Sequence, residues 1–211
     1  MGEIAGTTSI LIAAELLSSY SSGKGMMLGG VTGVKPTEVV IIGAGTVGEY
    51  ATRAALGLGA SVKIFDNSLS KLRRLQNDVG SRLYTSIIQP KVLAKAIQRA
   101  DVVIGAVRST HGRTPCVVTE EMVEQMKAGS VIVDVSIDQG GCFETSIMTN
   151  HNNPTYIKHG VVHYCVPNIA SRISRTASFA LSNIFSSILL EIGDKGGCEK
   201  LAINDSGFRS G

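Results

Sequence analysis

The stretch VVIIGAGTVG, residues 39–48, decides the fold of this chain, together with the acid Asp66 eighteen positions after its last glycine. It predicts a buried strand, a glycine turn and a helix start, followed by a second strand that ends in a carboxylate. A dinucleotide-binding crossover has these parts in this order. A glycine turn in some other α/β fold is the alternative. The β-branched run before the turn and the acid after the next strand favour the nucleotide site.

Each glycine of this turn has a separate physical reason to be there. Gly43 permits the tight turn out of the strand, where a Cβ would clash. Gly45 leaves room for a diphosphate to approach the backbone, and Gly48 lets the helix pack closely on the sheet. The amides of the first helical turn, at Thr46 and Val47, then face the diphosphate, and the helix dipole favours its negative charge.

Asp66 is expected to bind the ribose next to adenine and to discriminate between cofactors. Its carboxylate accepts hydrogen bonds from the ribose hydroxyls, and its charge repels a 2′-phosphate, so the sequence predicts NAD rather than NADP. Arg73 and Arg74 follow on the next helix and could soften that preference. A solvated helix face is the simpler interpretation of both arginines.

Composition agrees with an α/β domain and excludes several other classes. The chain has 211 residues, no tryptophan, and many Val, Ile, Ala and Gly residues, as parallel sheets covered by helices do. A net charge of +3 without a basic stripe argues against nucleic acid as a partner. The four cysteines lie far apart without a CxxC pair, which argues against a metal site and against a disulfide framework. We therefore expect a reducing, cytoplasmic setting.

The apolar run at residues 9–17 does not predict a membrane segment. It is too short to span a bilayer and contains Glu15. We expect an amphipathic helix that packs on the domain, and no membrane partner.

Strands and helices alternate regularly along the chain. Strands are predicted over 38–42, 61–65, 82–86, 101–106, 130–135 and 161–165, and helices over 46–57, 68–78, 90–99, 119–126 and 175–192. Such alternation predicts a Rossmann-type, doubly wound parallel sheet with long flanking helices at both ends. Residues 136–160 contain no long periodic run, and we expect a functional loop there, at the carboxyl end of a strand.

Five stretches together closely resemble the alanine dehydrogenase family. They are residues 29–34 (GGVTGV), the fingerprint at 39–48, residues 100–107 (ADVVIGAV), residues 133–145 (VDVSIDQGGCFET) and residues 163–168 (HYCVPN). The wider grouping includes nicotinamide nucleotide transhydrogenase, whose members tend to carry a pattern like AEQGGN in place of IDQGGCFE. The dehydrogenase branch is therefore the better match.

The resemblance covers residues 1 to about 193 and implies part of an NAD-dependent enzyme. Such an enzyme converts L-alanine reversibly to pyruvate and ammonia. The family's substrate-binding arginine and lysine and its catalytic histidine lie in an N-terminal portion that this chain does not match. We therefore expect the chain to bind NAD without turnover by itself. A transhydrogenase component and a non-catalytic NAD-sensing module are the alternatives.

The same resemblance implies roles for individual residues. Asp138 matches the active-site aspartate, with a role in orienting water and stabilising cationic states of the substrate. Capping of the turn at Gly140 and Gly141 is the alternative for this carboxylate. Lys71 matches a lysine near the adenosine, and an ordinary surface lysine is the alternative. Gly2 stands where the family usually has a serine that touches the cofactor. The residues expected around the nicotinamide and its ribose are Val107, Arg108, Val135, Ile137, Asp138, Val166, Asn168 and Ile169, with Asn168 facing the carboxamide.

Four segments are predicted along the chain. Residues 1–34 would form a connecting helix with a glycine-rich linker, and residues 35–170 the NAD-binding domain. Residues 171–193 would form a helix of the substrate domain, and residues 194–211 a flexible tail.

Two apolar helix faces predict a homo-oligomer. They lie at residues 7–17 and 179–190, and a lone nucleotide domain would not bury them fully. An isologous dimer is the commonest symmetric arrangement that covers such faces. The alternative is that the two helices pack on each other within one chain.

Overall fold

The computed structural model describes residues 1–20, 22–109 and 112–199. The chain divides into two compact units. One is Gly2–Arg172, and the other is Met1 together with the residues from Ile173 onward. The first unit contains the whole sheet and the predicted nucleotide site.

Seven strands form one sheet in the first unit, in the order β3-β2-β1-β4-β5-β7-β6. Their bounds are β1 Glu38–Ile42, β2 Ser61–Phe65, β3 Tyr84–Ser86, β4 Val102–Gly105, β5 Val131–Asp134, β6 Thr155–Lys158 and β7 Val161–Tyr164. All neighbouring pairs are parallel except β6 with β7. The predicted Rossmann-type α/β fold is confirmed.

The prediction of one long loop over residues 136–160 is wrong in two places. Val135–Gln139 is a 3-10 helix, and Thr155–Lys158 is the antiparallel edge strand β6. An edge strand has one neighbour and a partly solvated face, so β6 has none of the continuous apolar pattern of the central strands. Its partner β7 follows after a turn at His159 and Gly160, both of which have positive φ.

Helices cover both faces of the sheet. In the first unit these helices are α1 Gly2–Ser18, α2 Thr46–Gly57, α3 Leu69–Val79, α4 Pro90–Arg99 and α5 Glu120–Glu124, whereas α6 Ser174–Asp194 belongs to the second unit. Local sequence explains several of the ends. The hydroxyl of Ser68 caps α3 by accepting from the Lys71 N–H, and Gly80 ends that helix in the left-handed conformation. Pro90 stands in the first turn of α4, where a missing N–H costs nothing.

Alternation along the strands divides the core between the two faces. Val39 and Ile41 belong to a buried cluster that includes residues of α1, α2 and α3. Val40 and Ile42 belong to a second cluster that includes residues of α4 and α5. Since consecutive strand residues point to opposite faces, one short apolar strand supplies both clusters. All four residues are fully buried.

Helix α1 packs within the first unit, against α2 and the sheet. Ile10 and Leu17 are fully buried in the same cluster as Val39 and Ile41. Gly6 allows the close approach of the two helices, because a Cβ there would overlap the carbonyl oxygen of Val47. Most of the apolar face of residues 7–17 is therefore buried within this unit, and Leu11 stays 49% exposed.

Helix α6 in the second unit is exposed along most of its length. Its exposed large apolar side chains are Phe179, Leu181, Ile184, Phe185, Leu189 and Leu190. Among the described residues, Ile169–Asp194 is the one helical segment whose length and composition could cross a membrane. A single helix of this kind is weak evidence of a membrane protein. The predicted tail lies outside the described residues from residue 200 onward.

Candidate nucleotide site

The predicted site lies at the edge of the sheet where the parallel strands end. The chain order reverses between β1 and β4. Strands β2 and β3 lie on one side of β1, and strands β4 and β5 lie on the other side. Ligands of open α/β sheets bind in the crevice at such a reversal, outside the carboxyl ends of the strands. At this edge Ile42 pairs with Gly105, and Gly105 pairs with Asp134.

The glycine turn after β1 has little space on one side and ample space on the other. Gly43 has a φ of +110°, and a Cβ there would overlap the carbonyl of Ala106. A Cβ on Gly48 would overlap the carbonyl oxygen of Gly43, so the first turn of α2 lies directly on the turn. A Cβ on Gly45 would meet no atom within 4 Å. Only at Gly45 does the turn leave room for a ligand.

The first turn of α2 is available to an anion. Gly45 is the N-cap in an extended conformation, and no side chain caps the helix. The backbone N–H groups of Thr46 and Val47 therefore have no partner within the helix and lie at its positive end. The start of α1 reaches the same place, because a Cβ on Gly2 would lie 3.3 Å from Cγ2 of Thr46.

Asp66 follows β2 and is bonded to the glycine turn. One carboxylate oxygen accepts from the Ala44 N–H and the other from the Ser68 N–H, each at 2.7 Å. A carboxylate has about four acceptor positions, so lone pairs remain for hydroxyl groups of a ligand. The side chain is half-buried, with its backbone held at the end of the strand by the Ser86 carbonyl.

The basic residues of α3 are placed differently from one another. Lys71 and Arg73 are exposed in the first half of the helix. The guanidinium of Arg74 lies 3.5 Å from the Ala44 carbonyl oxygen and 3.8 Å from the Asp78 carboxylate. Arg74 is thus exposed like Arg73, as expected for a solvated helix face, and its guanidinium also reaches the edge of the glycine turn.

The loop after β4 passes directly beside the turn. A Cβ on Gly43 would lie 3.0 Å from the backbone nitrogen of Val107, which is half-buried, while Arg108 is exposed. The next residue, Ser109, donates its N–H to the side-chain oxygen of Gln139 at 3.2 Å. The loop after β4 is thereby joined to the segment after β5.

The remaining predicted residues gather at the ends of β5 and β7. Ile137, Val166 and Ile169 are each 3% exposed, and half-buried Val135 packs against the cluster that contains Val166 and Ile169. They form an apolar wall beside two exposed polar residues, Asp138 and Asn168.

Asp138 and Asn168 are hydrogen-bonded to each other's segments. The Asn168 N–H donates to the Asp138 carboxylate at 2.7 Å, and Asn168 has a left-handed φ of +50°. The alternative role of Asp138, capping the turn at Gly140 and Gly141, is wrong. The carboxylate that caps this segment is that of Asp134, which accepts from the Ser136 N–H.

Comparison with known proteins matches residues 9–211 to the family described as alanine dehydrogenase/PNT, C-terminal domain. The chain belongs to this family. It is 46% identical to the alanine dehydrogenase of Bacillus subtilis over 205 residues, which cover 97% of this chain and 54% of that protein.

Solved structures agree with this membership. An L-alanine dehydrogenase superposes on 99% of the chain with a TM-score of 0.93 and 42% identity, and 57% of that protein is covered. A transhydrogenase from Sinorhizobium meliloti superposes on 89% of the chain with a TM-score of 0.73 and 26% identity, with 53% of that protein covered. The chain spans about half the length of these relatives.

Sequence reasoning missed Asp134 in this member of the alanine dehydrogenase/PNT family. Its carboxylate is 1% exposed and accepts hydrogen bonds from the Ser136 N–H, the Cys142 N–H and the Ser146 hydroxyl. Burial raises the pKa of this carboxyl, and the three hydrogen bonds oppose that rise. The signal was present in the sequence, since an acid ends the otherwise apolar strand Val131–Asp134.

A second buried polar group lies next to it, around His163. The imidazole Nδ1 lies 3.0 Å from the Val161 carbonyl, and Nε2 lies 2.9 Å from the Thr145 hydroxyl. Because a carbonyl only accepts, Nδ1 carries the proton and Nε2 accepts from Thr145. Burial lowers the pKa of His163 to about 4, so the ring is neutral at pH 7. Tyr156 stacks on this ring at 4.9 Å between centroids.

One group among the described residues has the spacing of a metal site, although the sequence predicts none. Glu120, Glu124 and His159 present ligand atoms within 4.8 Å of one another. Lys158 and His159 already pair with the same Glu120 oxygen, at 2.7 Å and 2.6 Å. The group precedes β7 and so lies at the opposite edge of the sheet from the nucleotide site. It acts as an ion-pair cluster that fastens the β6–β7 turn to α5.

Proposed function

We propose that this chain is the NAD(H)-binding half of an alanine dehydrogenase, which converts L-alanine reversibly to pyruvate and ammonia with NAD. The observation that carries the proposal is the glycine turn after β1. Its open side at Gly45 faces uncapped amides, and the carboxylate of Asp66 is bonded to the same turn.

NAD fits the residues at this edge. The open side of Gly45 takes the diphosphate, which the amides of Thr46 and Val47 bind as an anion. The free lone pairs of Asp66 accept from the adenosine ribose, and its charge disfavours a 2′-phosphate. Lys71 and Arg74 flank the adenosine side, where an exposed cation balances the diphosphate charge.

The ends of β5 and β7 fit the nicotinamide. Val107 and Arg108 pass its ribose, and the apolar wall takes one face of the ring; this wall is formed by Val135, Ile137, Val166 and Ile169. The side chain of Asn168 is exposed and forms a hydrogen bond with the carboxamide. When bound, NAD accepts or returns a hydride at the nicotinamide ring.

Asp138 is the residue proposed to touch the reacting substrate. It is exposed at the crevice, and the one contact described for its side chain is the hydrogen bond from the Asn168 N–H to Oδ1. Its remaining lone pairs can orient a water molecule and stabilise positive charge on the substrate nitrogen.

The rest of the chemistry is assigned to a substrate-binding half. Relatives are about twice as long as the matched region, and the resemblance assigns a histidine, an arginine and a lysine to their other half. In the proposed organisation, residues 35–170 bind NAD, residues 1–34 connect the halves and residues 171–193 return to the substrate half, with a flexible tail at 194–211. The isolated chain then binds NAD(H) without turnover.

Helix α6 supports an assembly. Its exposed apolar side chains need a cover, which the substrate-binding half and a second copy of the protein both provide in the proposed homo-oligomer. We place the protein in the cytoplasm, because its four cysteines are unpaired, and we expect no membrane partner, because the proposed assembly covers the apolar side chains of α6. The mass of the full-length protein by light scattering tests the assembly, and a monomer would contradict it.

A transhydrogenase component is the second candidate, on the 26% identical structural relative. The run IDQGGCFE at residues 137–144 favours the dehydrogenase. NADH formation by the full-length protein that depends on L-alanine distinguishes the two. Its absence, with NADH binding intact, would favour the transhydrogenase or a non-catalytic NAD sensor.

Titration of this chain with NADH, followed by nicotinamide fluorescence, tests the binding proposal. Gly45→Trp fills the open side of the turn and should abolish binding. Gly57→Trp is the matched control, because Gly57 lies at the other end of α2 and a Cβ there also meets no atom within 4 Å. Equal NADH affinity of wild type and Gly45→Trp would overturn the proposal.

A further inference from the structure

We propose that Asp134 is a positioning residue whose buried carboxylate holds the segment bearing Asp138 in place at the end of β5. The inference rests on the proposed function, because it concerns the nicotinamide end of the same site. Asp134 is not itself catalytic, since it is 1% exposed and cannot meet a substrate.

The carboxylate binds the segment on both sides of Asp138. Before it, the Ser136 N–H donates to Oδ1 at 3.0 Å. After it, the Cys142 N–H and the Ser146 hydroxyl donate to Oδ2 at 3.0 and 2.6 Å, and the Cys142 thiol lies 3.7 Å from Oδ1. The residues between Ser136 and Cys142 therefore form a loop whose two ends are held by one side chain.

Within that loop the backbone is closed on itself. Gly140 and Gly141 donate their N–H groups to the carbonyls of Ile137 and Ser136, at 2.9 and 3.0 Å. Asp138 projects from this turn toward the crevice and accepts from Asn168. A displacement of Ser136 or Cys142 consequently moves Asp138 and the end of β7 together.

The neighbouring glycines leave space for this carboxylate. A Cβ on Gly105, its partner on β4, would lie 2.8 Å from Oδ1, and a Cβ on Gly141 would lie 2.7 Å from Oδ2. Both distances are tighter than real Cβ contacts, and a Cβ on Gly105 would also lie 2.6 Å from Sγ of Cys142 and from Cε2 of Phe143, so the two glycines leave room for the carboxylate and the side chains packed around it. This complementarity is independent of the hydrogen bonds and points to the same role.

Asparagine cannot replace this carboxylate. Two of the donors are backbone N–H groups on different oxygens, and neither can be reversed. An asparagine amide has one oxygen, so one buried N–H would face an NH₂ group without a partner. Such a loss moves the segment or leaves a buried donor unsatisfied, and both are unfavourable.

The test compares two ligands on the same protein. ADP-ribose occupies only the adenosine and diphosphate subsites, whereas NADH also occupies the nicotinamide subsite. For Asp134→Asn we expect Kd for NADH to rise about tenfold while Kd for ADP-ribose stays within about twofold. Ser146→Ala removes one donor and leaves the carboxylate, so we expect the same selectivity with a smaller rise.

Asp101→Asn is the matched control. Asp101 is also a buried acid, 4% exposed, but it precedes β4 at the opposite edge and pairs with Lys24 and Lys127. Its substitution should lower the melting temperature without changing the ratio of the two dissociation constants.

Each outcome separates the two proposals. Failure of wild type to bind either ligand would reject the nucleotide site itself. Wild-type binding of both ligands, with Asp134→Asn weakening both equally or neither, would reject the positioning role alone. If Asp134→Asn does not fold, Ser146→Ala decides by the same ratio, and an unchanged ratio would reject the role.

Discussion

The carboxylate of Asp66 accepts a hydrogen bond from the backbone N–H of Ala44 at 2.7 Å. The end of β2 is thereby joined to the middle of the glycine turn after β1. The second oxygen is directed by the Ser68 N–H, also at 2.7 Å. Both oxygens are oriented before any ligand arrives, which reduces the entropy lost on binding.

Asp66→Ser should shift the cofactor preference of the protein from NADH toward NADPH. The substitution removes two acceptors for the ribose and the charge that repels a 2′-phosphate, so we expect NADH affinity to fall about tenfold or more. NADPH affinity should rise, with Arg74 close enough to the turn to favour the phosphate. Fluorescence titrations with both cofactors measure the ratio. Asp78→Ser is the control, since it removes the same charge from an exposed site on α3; a similar change in that variant would contradict the prediction.

Gly48→Ala should destabilise the protein severely. Its Cβ would overlap the carbonyl oxygen of Gly43, which is backbone and cannot turn away. We expect the free energy of unfolding to fall by about 3 kcal/mol or more. Gly57→Ala, in the same helix with open space around it, should change it by less than about 1 kcal/mol, in the stabilising direction. Urea denaturation of both variants is the measurement, and similar stabilities would show that close packing at position 48 is unimportant.

Asp138→Asn should separate binding from catalysis. The asparagine retains an oxygen to accept from the Asn168 N–H, so NADH affinity of this chain should stay within about threefold of wild type. In the full-length enzyme the lost charge should lower kcat for L-alanine by about 100-fold or more. Asp138→Ala also removes the acceptor, and we expect it to weaken NADH binding further. A full-length Asp138→Asn enzyme with normal kcat would refute the assignment.

The stability of the protein should depend on the protonation of His163. Burial lowers its pKa to about 4, whereas an unfolded histidine titrates near its ordinary value of 6.5. Between these two pH values the unfolded chain binds a proton that the folded chain does not. Stability contributed by this residue is therefore complete above pH 6.5 and is lost as the pH falls toward 4, by on the order of 3 kcal/mol.

Urea denaturation at pH 7 and pH 4.5 tests this dependence. His163→Phe should show a smaller loss between the two pH values than wild type. Thr145→Val removes the hydroxyl partner of Nε2 and keeps the imidazole, so its pH dependence should resemble that of wild type. An equal loss of stability between the two pH values in wild type and in His163→Phe would mean that His163 has the same pKa in the folded and unfolded states.

The sequence predicts the centre of the sheet better than its edges. The bounds expected for β1, α2, β2 and α4 agree with the structure to the residue, because apolar runs, glycines and a proline mark each end. Strand β6 was missed since its burial is partial and its pairing is antiparallel. Hydrophobic patterning detects burial, and an edge strand owes its existence mainly to backbone hydrogen bonds with its neighbour.

Those parts of the candidate site that depend on one residue and its local backbone could be predicted from the sequence. The glycine positions follow from local geometry, and Asp138 followed from a family resemblance. The acid Asp134 at the end of an apolar strand is visible in the sequence, but its role depends on where Gly105 and Gly141 lie in space, and this juxtaposition of three segments has no local pattern. His163 similarly needed its partners Thr145 and Tyr156 to be recognised as more than a strand residue.

The burial of Ile10 and Leu17 beneath the sheet has a practical consequence for protein engineering. A version trimmed to begin at residue 35 would leave the inner side of α2 and the sides of β4 and β5 that carry Ile104 and Val133 open to water. Such a truncation should aggregate and be cleaved readily by proteases, even though every glycine of the turn is still present. Minimal nucleotide-binding fragments of this protein must therefore retain the first helix.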